Sequence, residues 1–367
     1  MSFSQEKVII IGAGIVGLMT ALELIEHGYH VEIFDQTDAA KAASWAGGGI
    51  LSPMYPWKYH PAVNQLAQFG KQSYLSWNQK VMPISGIDFE IEQVGMLIFD
   101  HDQYDRGLNY AHDFHEPEQA SSLLTQEDLH QLNPRLNKTL DFAVYFPQLA
   151  NVRNPRLTQS VLKYLQQHQN VTIRQHIAIT KFTRDRSKII AALDDQGNAY
   201  SADHYVIATG AWTESLIQPF GLKLEIKPIH GQMVLYKTPE KWLPNMCMNN
   251  TMYLIPRRDG HIVCGSSTND FGFDRNVRED ISQNIIQSAL SLVPDLADFP
   301  IVKQWSGLRP GSPTGVPKIG RVADLNNLWM NAGHYRNGLV MAPASARLLR
   351  EQMQGIETFV DAGPYQI

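Results

Sequence analysis

The chain has 367 residues, 44% of them apolar, which is enough to bury a large core and suits two domains rather than one. Its 31 Lys and Arg against 36 Asp and Glu leave a formal net charge of -5 with no basic run of the kind that tracks phosphodiester backbones, and nucleic acid is not expected as a partner. The two cysteines, Cys247 and Cys264, have no CxxC spacing and no nearby His pair, which excludes a disulfide framework and a zinc site and fits a reducing cytoplasm.

An apolar strand over residues 8–11 runs straight into Gly12, Gly14 and Gly17 in the GxGxxG spacing. An amphipathic helix follows, and a second strand over 31–34 ends at Asp35. The uncharged stretch 8–22 is shorter than the roughly 20 residues of a spanning helix and ends without a cleavage pattern, so it reads as a buried strand and helix rather than a membrane segment or export signal. Gly12 permits the tight turn, Gly14 lets a pyrophosphate approach the backbone at the helix N-terminus, and Gly17 lets helix and strand pack closely. The Asp35 carboxylate then accepts from the hydroxyls of an adenosine ribose. The unit predicts dinucleotide binding without choosing between NAD and FAD, which share the adenosine diphosphate half.

Next comes "SWAGGGILSPMYPW", residues 44–57, with Gly47, Gly48 and Gly49 between aromatic and apolar neighbours that argue against a flexible linker. Val63, Leu66, Ala67, Gly70, Tyr74 and Trp77 share one helical face, and Pro155 suits the first turn of a helix through Leu157, Val161, Leu162 and Leu165. Strands are expected over 96–99, 171–179, 205–208, 233–236, 253–255, 262–264 and 328–331, with Asp259 and Gly260 as a hairpin turn. "YVIATGAW" is a strand that breaks at Thr209 and Gly210, and together with the glycine run it points to FAD. There is no internal repeat.

The stretches "ASWAGGGILSPMYPW", "NVRNPRL", "VIATGAW", "YLIPRRDGHIVCGS", "WSGLRPGSPTGVPKIG" and "NAGHYRNGLVMAPAS" resemble, in this order and over the whole chain, the signatures of the D-amino-acid-oxidase superfamily, and within it those of the glycine oxidases of thiamine biosynthesis. The resemblance implies an α/β fold. An FAD-binding Rossmann-like domain is formed by residues 1–55, 150–215 and 305–367, and an inserted, mostly antiparallel β substrate domain by 56–149 and 216–304. It places Gly12, Gly14, Ile15, Val16, Gly17, Asp35, Gln36, Ala42, Ala43 and Ser44 on the cofactor, with Gly47, Gly48 and Gly49 laid against the isoalloxazine ring, where side chains would block access. Ile179 would meet the adenosine half, and Thr209 and Gly210 complete that side. His334, Tyr335, Arg336, Asn337, Gly338, Leu339 and Val340 lead into a helix whose amide-rich start would stabilise negative charge on reduced flavin.

By the same resemblance Arg309 and Tyr253 clamp the substrate carboxylate, with Arg336 as a second active-site arginine, because a planar guanidinium forms two parallel charge-assisted bonds. The plain readings are a surface-paired arginine for Arg309 or Arg336 and a half-buried strand tyrosine for Tyr253. The implied reaction passes hydride from the α-carbon of glycine to flavin N5. Molecular oxygen reoxidises the flavin to hydrogen peroxide, and the imine is hydrolysed to glyoxylate and ammonia or handed to a thiazole synthase. Such a transfer needs no protein base, so His230, His261 and His334 are read as structural. Neither cysteine falls in the attachment motif of some relatives, and FAD is expected to be non-covalent. Thr268 stands where some glycine oxidases carry a bulky Met, which leaves the pocket size open. N-methylglycine and small D-amino acids stay open as substrates, as do a quinone-linked dehydrogenase, an FAD-dependent tRNA-modifying module and a homo-oligomeric state.

Overall fold

The computed structural model describes residues 6–113, 121–322 and 324–367. The strand Lys7–Ile11 lies at the centre of a six-stranded sheet, between His30–Asp35 and His204–Ile207, with Val171–Gln175 beyond the first and Leu328–Ala332 and Lys318–Arg321 beyond the second. All neighbours are parallel except the last two. Successive side chains of a strand point to opposite faces, so Val8 and Ile10 join a core with the helices Ile15–Ile25, Pro61–Ser85, Asn154–Gln167 and Gly338–Met353, whereas Ile9 and Ile11 join a core under the small antiparallel sheet Ile179–Asp185, Lys188–Asp194 and Ala199–Tyr200. Both faces are covered, which is why residues 8–11 are apolar without alternation.

The stretch 171–179, expected as one strand, is two. The chain turns at His176, in the left-handed region with φ 60°, leaves the parallel sheet after Gln175 and enters the antiparallel one at Ile179. A single positive φ at a residue other than glycine leaves no mark in an apolar pattern that runs through both pieces.

The second sheet has eight strands in the order Ile301–Gly311, Lys227–Lys237, His261–Gly265, Tyr253–Pro256, Met246–Met248, Met96–Ile98, Ala143–Phe146 and Ser122–Leu124. It is antiparallel except between Met246–Met248 and Met96–Ile98. Val234, Leu254, Ile262, Cys247 and Cys264 face the helix Glu279–Leu292, while Met233, Tyr253, Ile255 and Val263 face the other way. The hairpin expected at Asp259 and Gly260 closes where Arg257 N donates to His261 O (2.8 Å) and Gly260 N to Arg257 O (3.0 Å), with Gly260 at φ 81°.

Two segments pack across the division that the resemblance implies. Helix Pro61–Ser85 buries Val63, Leu66, Ala67 and Tyr74 in the core of the first sheet. Strand Ile301–Gly311 is bonded along its length to Lys227–Lys237 of the second. The helical stripe read in the sequence states that one face is buried but not against what.

Candidate active site

A cavity of about 610 Å³ lies between the two sheets. At one end Gly12, with φ 107°, lies so close to the Ala208 carbonyl oxygen that a Cβ there would overlap it, while its amide donates to Phe34 O at 2.7 Å. Gly14 caps the helix Ile15–Ile25 in extended conformation with no side-chain bond, and the Ile15 amide is taken by Ser44 Oγ at 2.8 Å. The other first-turn amides of such a helix have no intrahelical partner, which makes its start a seat for an anion. Gly17 is not on the cavity wall: a Cβ there would overlap the Gly12 carbonyl, so it serves the strand–helix contact. Asp35 Oδ2 accepts from Ala13 N at 2.8 Å and Oδ1 from Thr37 N at 2.9 Å and Thr37 Oγ1 at 3.0 Å, so Oδ2 keeps a further lone pair for a ligand hydroxyl.

The glycine run lines the middle of the cavity, but protein atoms explain its composition. A Cβ on Gly47 would lie 2.9 Å from Asn154 Nδ2, and one on Gly48 would lie 2.8 Å from Ile255 Cδ1 and 2.9 Å from Tyr253 Cε2. At Gly49, with φ 84°, a Cβ would overlap the Val152 carbonyl. The side chains are absent because the loop is wedged between the second sheet and residues 152–154, which refines the expectation that they would obstruct the cofactor. Arg257 holds the wedge. It is fully buried, donates to Gly48 O (2.5 Å), Asn151 Oδ1 (2.5 Å) and Val152 O (3.0 Å), and is pushed down to about 10 by burial and then by Arg153.

On the far wall His334, Tyr335, Arg336, Asn337, Gly338, Leu339 and Val340 all line the cavity, and the helix Gly338–Met353 starts there with no side-chain cap and no acid in its first turn. His334 is buried, pairs through Nε2 with Ser345 Oγ at 3.0 Å and is pushed down to about 3 by burial, so it is neutral. Arg336 is exposed and donates to Thr268 Oγ1. Arg309 donates through Nη1 to Ser267 O (3.0 Å) and through Nη2 to Ser266 Oγ (2.5 Å). Among the described residues neither arginine has a carboxylate partner. Tyr253 is buried beside Arg309, its hydroxyl 3.7 Å from Met233 Sδ.

Ile15, Val16, Gln36, Ala42, Ala43, Ile179, Thr209 and Gly210 also line the cavity. Sequence reading missed Ser266, Trp212, Phe273 and Arg275 on the same wall. Trp212 and Ser266 sit inside quoted motifs and were within reach. Phe273 and Arg275 come from a loop that carries no pattern, brought in by the Phe273 ring on Trp212 at 5.5 Å. Cys247 and Cys264 are fully buried on the opposite face of the second sheet, and burial pushes both thiols up.

The sequence matches the DAO family, described as FAD dependent oxidoreductase, over residues 7–352. The chain belongs to this family. It is 40% identical over 361 residues to a glycine oxidase of Pseudomonas aeruginosa, with 98% of both chains covered. It is 29% identical over 349 residues to the bifunctional protein ThiO/ThiG of Nostoc sp., of which it spans 52%. The crystal structure of glycine oxidase from Geobacillus kaustophilus superposes with a TM-score of 0.91 at 25% identity, covering 98% of each chain.

The cavity fits the family's cofactor on its own chemistry. It has bare glycines at Gly12, Gly14, Gly47, Gly48 and Gly49, two helix starts whose N-cap residues make no side-chain bond, a carboxylate at the end of the second strand, and buried amide atoms without partners at Asn154 Oδ1, Asn331 Oδ1 and Asn337 Nδ2. Among the described residues no group of three His, Cys, Asp or Glu is arranged to hold a metal, and no helix is long and apolar enough to cross a membrane.

Proposed function

We infer that the chain is a glycine oxidase, and the observation that carries this reading is Arg309. It is a part-buried guanidinium on the cavity wall, answered by neutral acceptors alone and flanked by a tyrosine hydroxyl. A cation so placed is completed by an anionic ligand, and its planar fork suits a carboxylate. Bound FAD would supply the two-electron oxidation of the substrate Cα–H bond, with dioxygen as the final acceptor and hydrogen peroxide as the product. Gly12, Gly14 and Asp35 would hold its adenosine diphosphate half, and the loop 47–49 with the start of helix Gly338–Met353 its ring end.

The chain's own residues orient the substrate. Arg309 and the Tyr253 hydroxyl fix the carboxylate, which leaves the amine and the α-carbon to project toward the glycine loop. His334 stays neutral because burial opposes its protonation, so it adds no charge to the wall and takes no proton. The helix start at Gly338 favours negative charge next to it. The substrate loses a hydride from its α-carbon and a proton from its nitrogen to become an imine, and water hydrolyses the imine to glyoxylate and ammonia.

The same reading sets the enzyme in thiamine biosynthesis, with hand-over of the imine to a thiazole synthase. The Nostoc relative, in which the matched part is about half of a bifunctional chain, supports a partner that works beside this one. The purified protein assayed for peroxide against a panel of amines tests the assignment. Glycine and N-methylglycine should be oxidised comparably and bulky D-amino acids slowly, since one methylene discriminates by only about 1–3 kcal/mol. A large preference for D-phenylalanine would move the enzyme to the broad D-amino-acid oxidases.

A further inference from the structure

Strand Lys227–Lys237 pairs with Ile301–Gly311 so that Ile229 lies opposite Arg309 and Gly231 opposite Gly307. Gly231 is therefore the diagonal neighbour of Arg309, on the same face of the sheet. A Cβ built on Gly231 would overlap Nη1, Cζ and Nη2 of Arg309, and those three are its nearest atoms. The backbone at Gly231 does not require glycine, since it is not among the residues with positive φ. What the missing side chain provides is a flat floor for the guanidinium.

Around that floor, Nη1 donates to the backbone oxygens of Ser267 (3.0 Å) and His230 (3.5 Å), and Nη2 donates to Ser266 Oγ (2.5 Å). Ser267 is itself tied to the strand, its Oγ accepting from Gln232 N at 3.0 Å. These contacts engage three of the five N–H donors of the side chain, the Tyr253 hydroxyl bonds the same guanidinium, and the head group, held in place by the protein, presents what remains of its planar fork to a carboxylate.

We propose that Gly231 and Ser266 are positioning residues that set the depth and aim of Arg309, and with them the place of the substrate carboxylate. This rests on the reading of Arg309 given above. The overlap is with the far end of a flexible side chain, so a methyl at residue 231 lifts the guanidinium from its seat and leaves the sheet intact. The effect belongs to binding and aim, not to folding.

The test uses the holoenzyme with acetate as the probe, a carboxylate without the amine, read by its perturbation of the visible flavin spectrum, alongside glycine kinetics. In Gly231→Ala the acetate Kd should rise about tenfold or more and kcat/KM for glycine fall on the order of a hundredfold, as for a misplacement of about 1 Å, while FAD retention and Tm stay parental. Adding Gly231→Ala to Arg309→Lys, whose head group has no planar fork to displace, should cause little further loss. Parental acetate binding in Gly231→Ala, with binding lost in Arg309→Ala, overturns the positioning role and leaves the carboxylate reading standing. Parental binding in both overturns the carboxylate reading as well. Should Gly231→Ala melt early, Ser266→Ala, which adds no atom, carries the test: a severalfold rise in acetate Kd supports the proposal and an unchanged Kd refutes it.

Discussion

Arg309 and Arg336 bring two positive charges to one wall of the cavity, and burial, reinforced by Arg336, lowers the basicity of Arg309 without discharging it. A bound carboxylate relieves both effects, and each charge-assisted hydrogen bond contributes roughly 1.5–3 kcal/mol. Arg309→Ala should therefore lower kcat/KM for glycine by about a hundredfold or more with the flavin still bound, and Arg309→Lys should recover part of the loss. Steady-state kinetics beside the visible spectrum check this, and near-parental turnover in Arg309→Ala would make Arg336 the next anchor. His334 gives a prediction in pH. Its folded pKa of about 3 lies below the ordinary histidine value of about 6.5, so between these limits the unfolded chain binds a proton that the folded chain refuses. Stability from this group is complete above about pH 6.5 and drains away as pH falls toward 3, at no more than about 1.4 kcal/mol per pH unit. His334→Gln should flatten that slope in denaturant titrations between pH 6.5 and 4.5, and an unaltered slope would show that other groups set it. At this scale the sequence names Arg309, Tyr253 and Asp35 because their motifs are contiguous. It does not show that Asp35 first serves the Ala13 amide or that Gly48 presses on the Tyr253 ring, because those contacts join residues far apart in the chain.

Among the elements, helix Pro61–Ser85 packs against the start of Gly338–Met353 and so helps to place the cofactor wall. Gly70 sits directly on the Val340 carbonyl, where a Cβ would overlap it, and Tyr74 Oη donates to Leu339 O at 2.5 Å. The partner here is backbone, which cannot swing aside, so Gly70→Ala should cost about 1–3 kcal/mol by overpacking and push the Gly338 start out of line. Lower Tm together with weaker FAD binding is the expected pair of results, and loss of neither would mean that the helices slide apart freely. Arg257 makes the second element-scale prediction. Arg257→Met keeps bulk but strands three buried acceptors, at about 1–3 kcal/mol for each left unpaired, so the glycine loop should loosen and FAD dissociate more readily on dilution. The stripe through Val63, Leu66 and Tyr74 made the helix legible from sequence, and the docking of Gly70 on Val340 was not, since periodicity says nothing about partners.

The molecule is built on two large sheets that share one cleft, and its class was legible because the GxGxxG unit opens a parallel sheet whose buried strands are apolar without alternation. The domain division was harder to read, because Ile301–Gly311 carries Arg309 into the cleft while belonging by its hydrogen bonds to the second sheet. A ligand that fills the cleft touches both sheets, so free FAD should raise Tm with its concentration, by about 2.7 kcal/mol of stability at a hundredfold excess over Kd. A Tm indifferent to FAD would mean that the cleft opens before the core melts. The order of strands in the first sheet has a further consequence in time. Lys7–Ile11 is completed on one side by His204–Ile207, with Lys7 N bonded to Asp203 Oδ2 across 196 residues, and the wall facing Gly12 ends at Val340. At 5–20 residues per second a ribosome needs roughly 15–65 s to make the chain between those two walls. The edge of the apolar strand 8–11 stays unpaired until residues 204–207 are made, roughly 10–40 s on the same scale, whereas flavin can be captured only once nearly the entire polypeptide has been made.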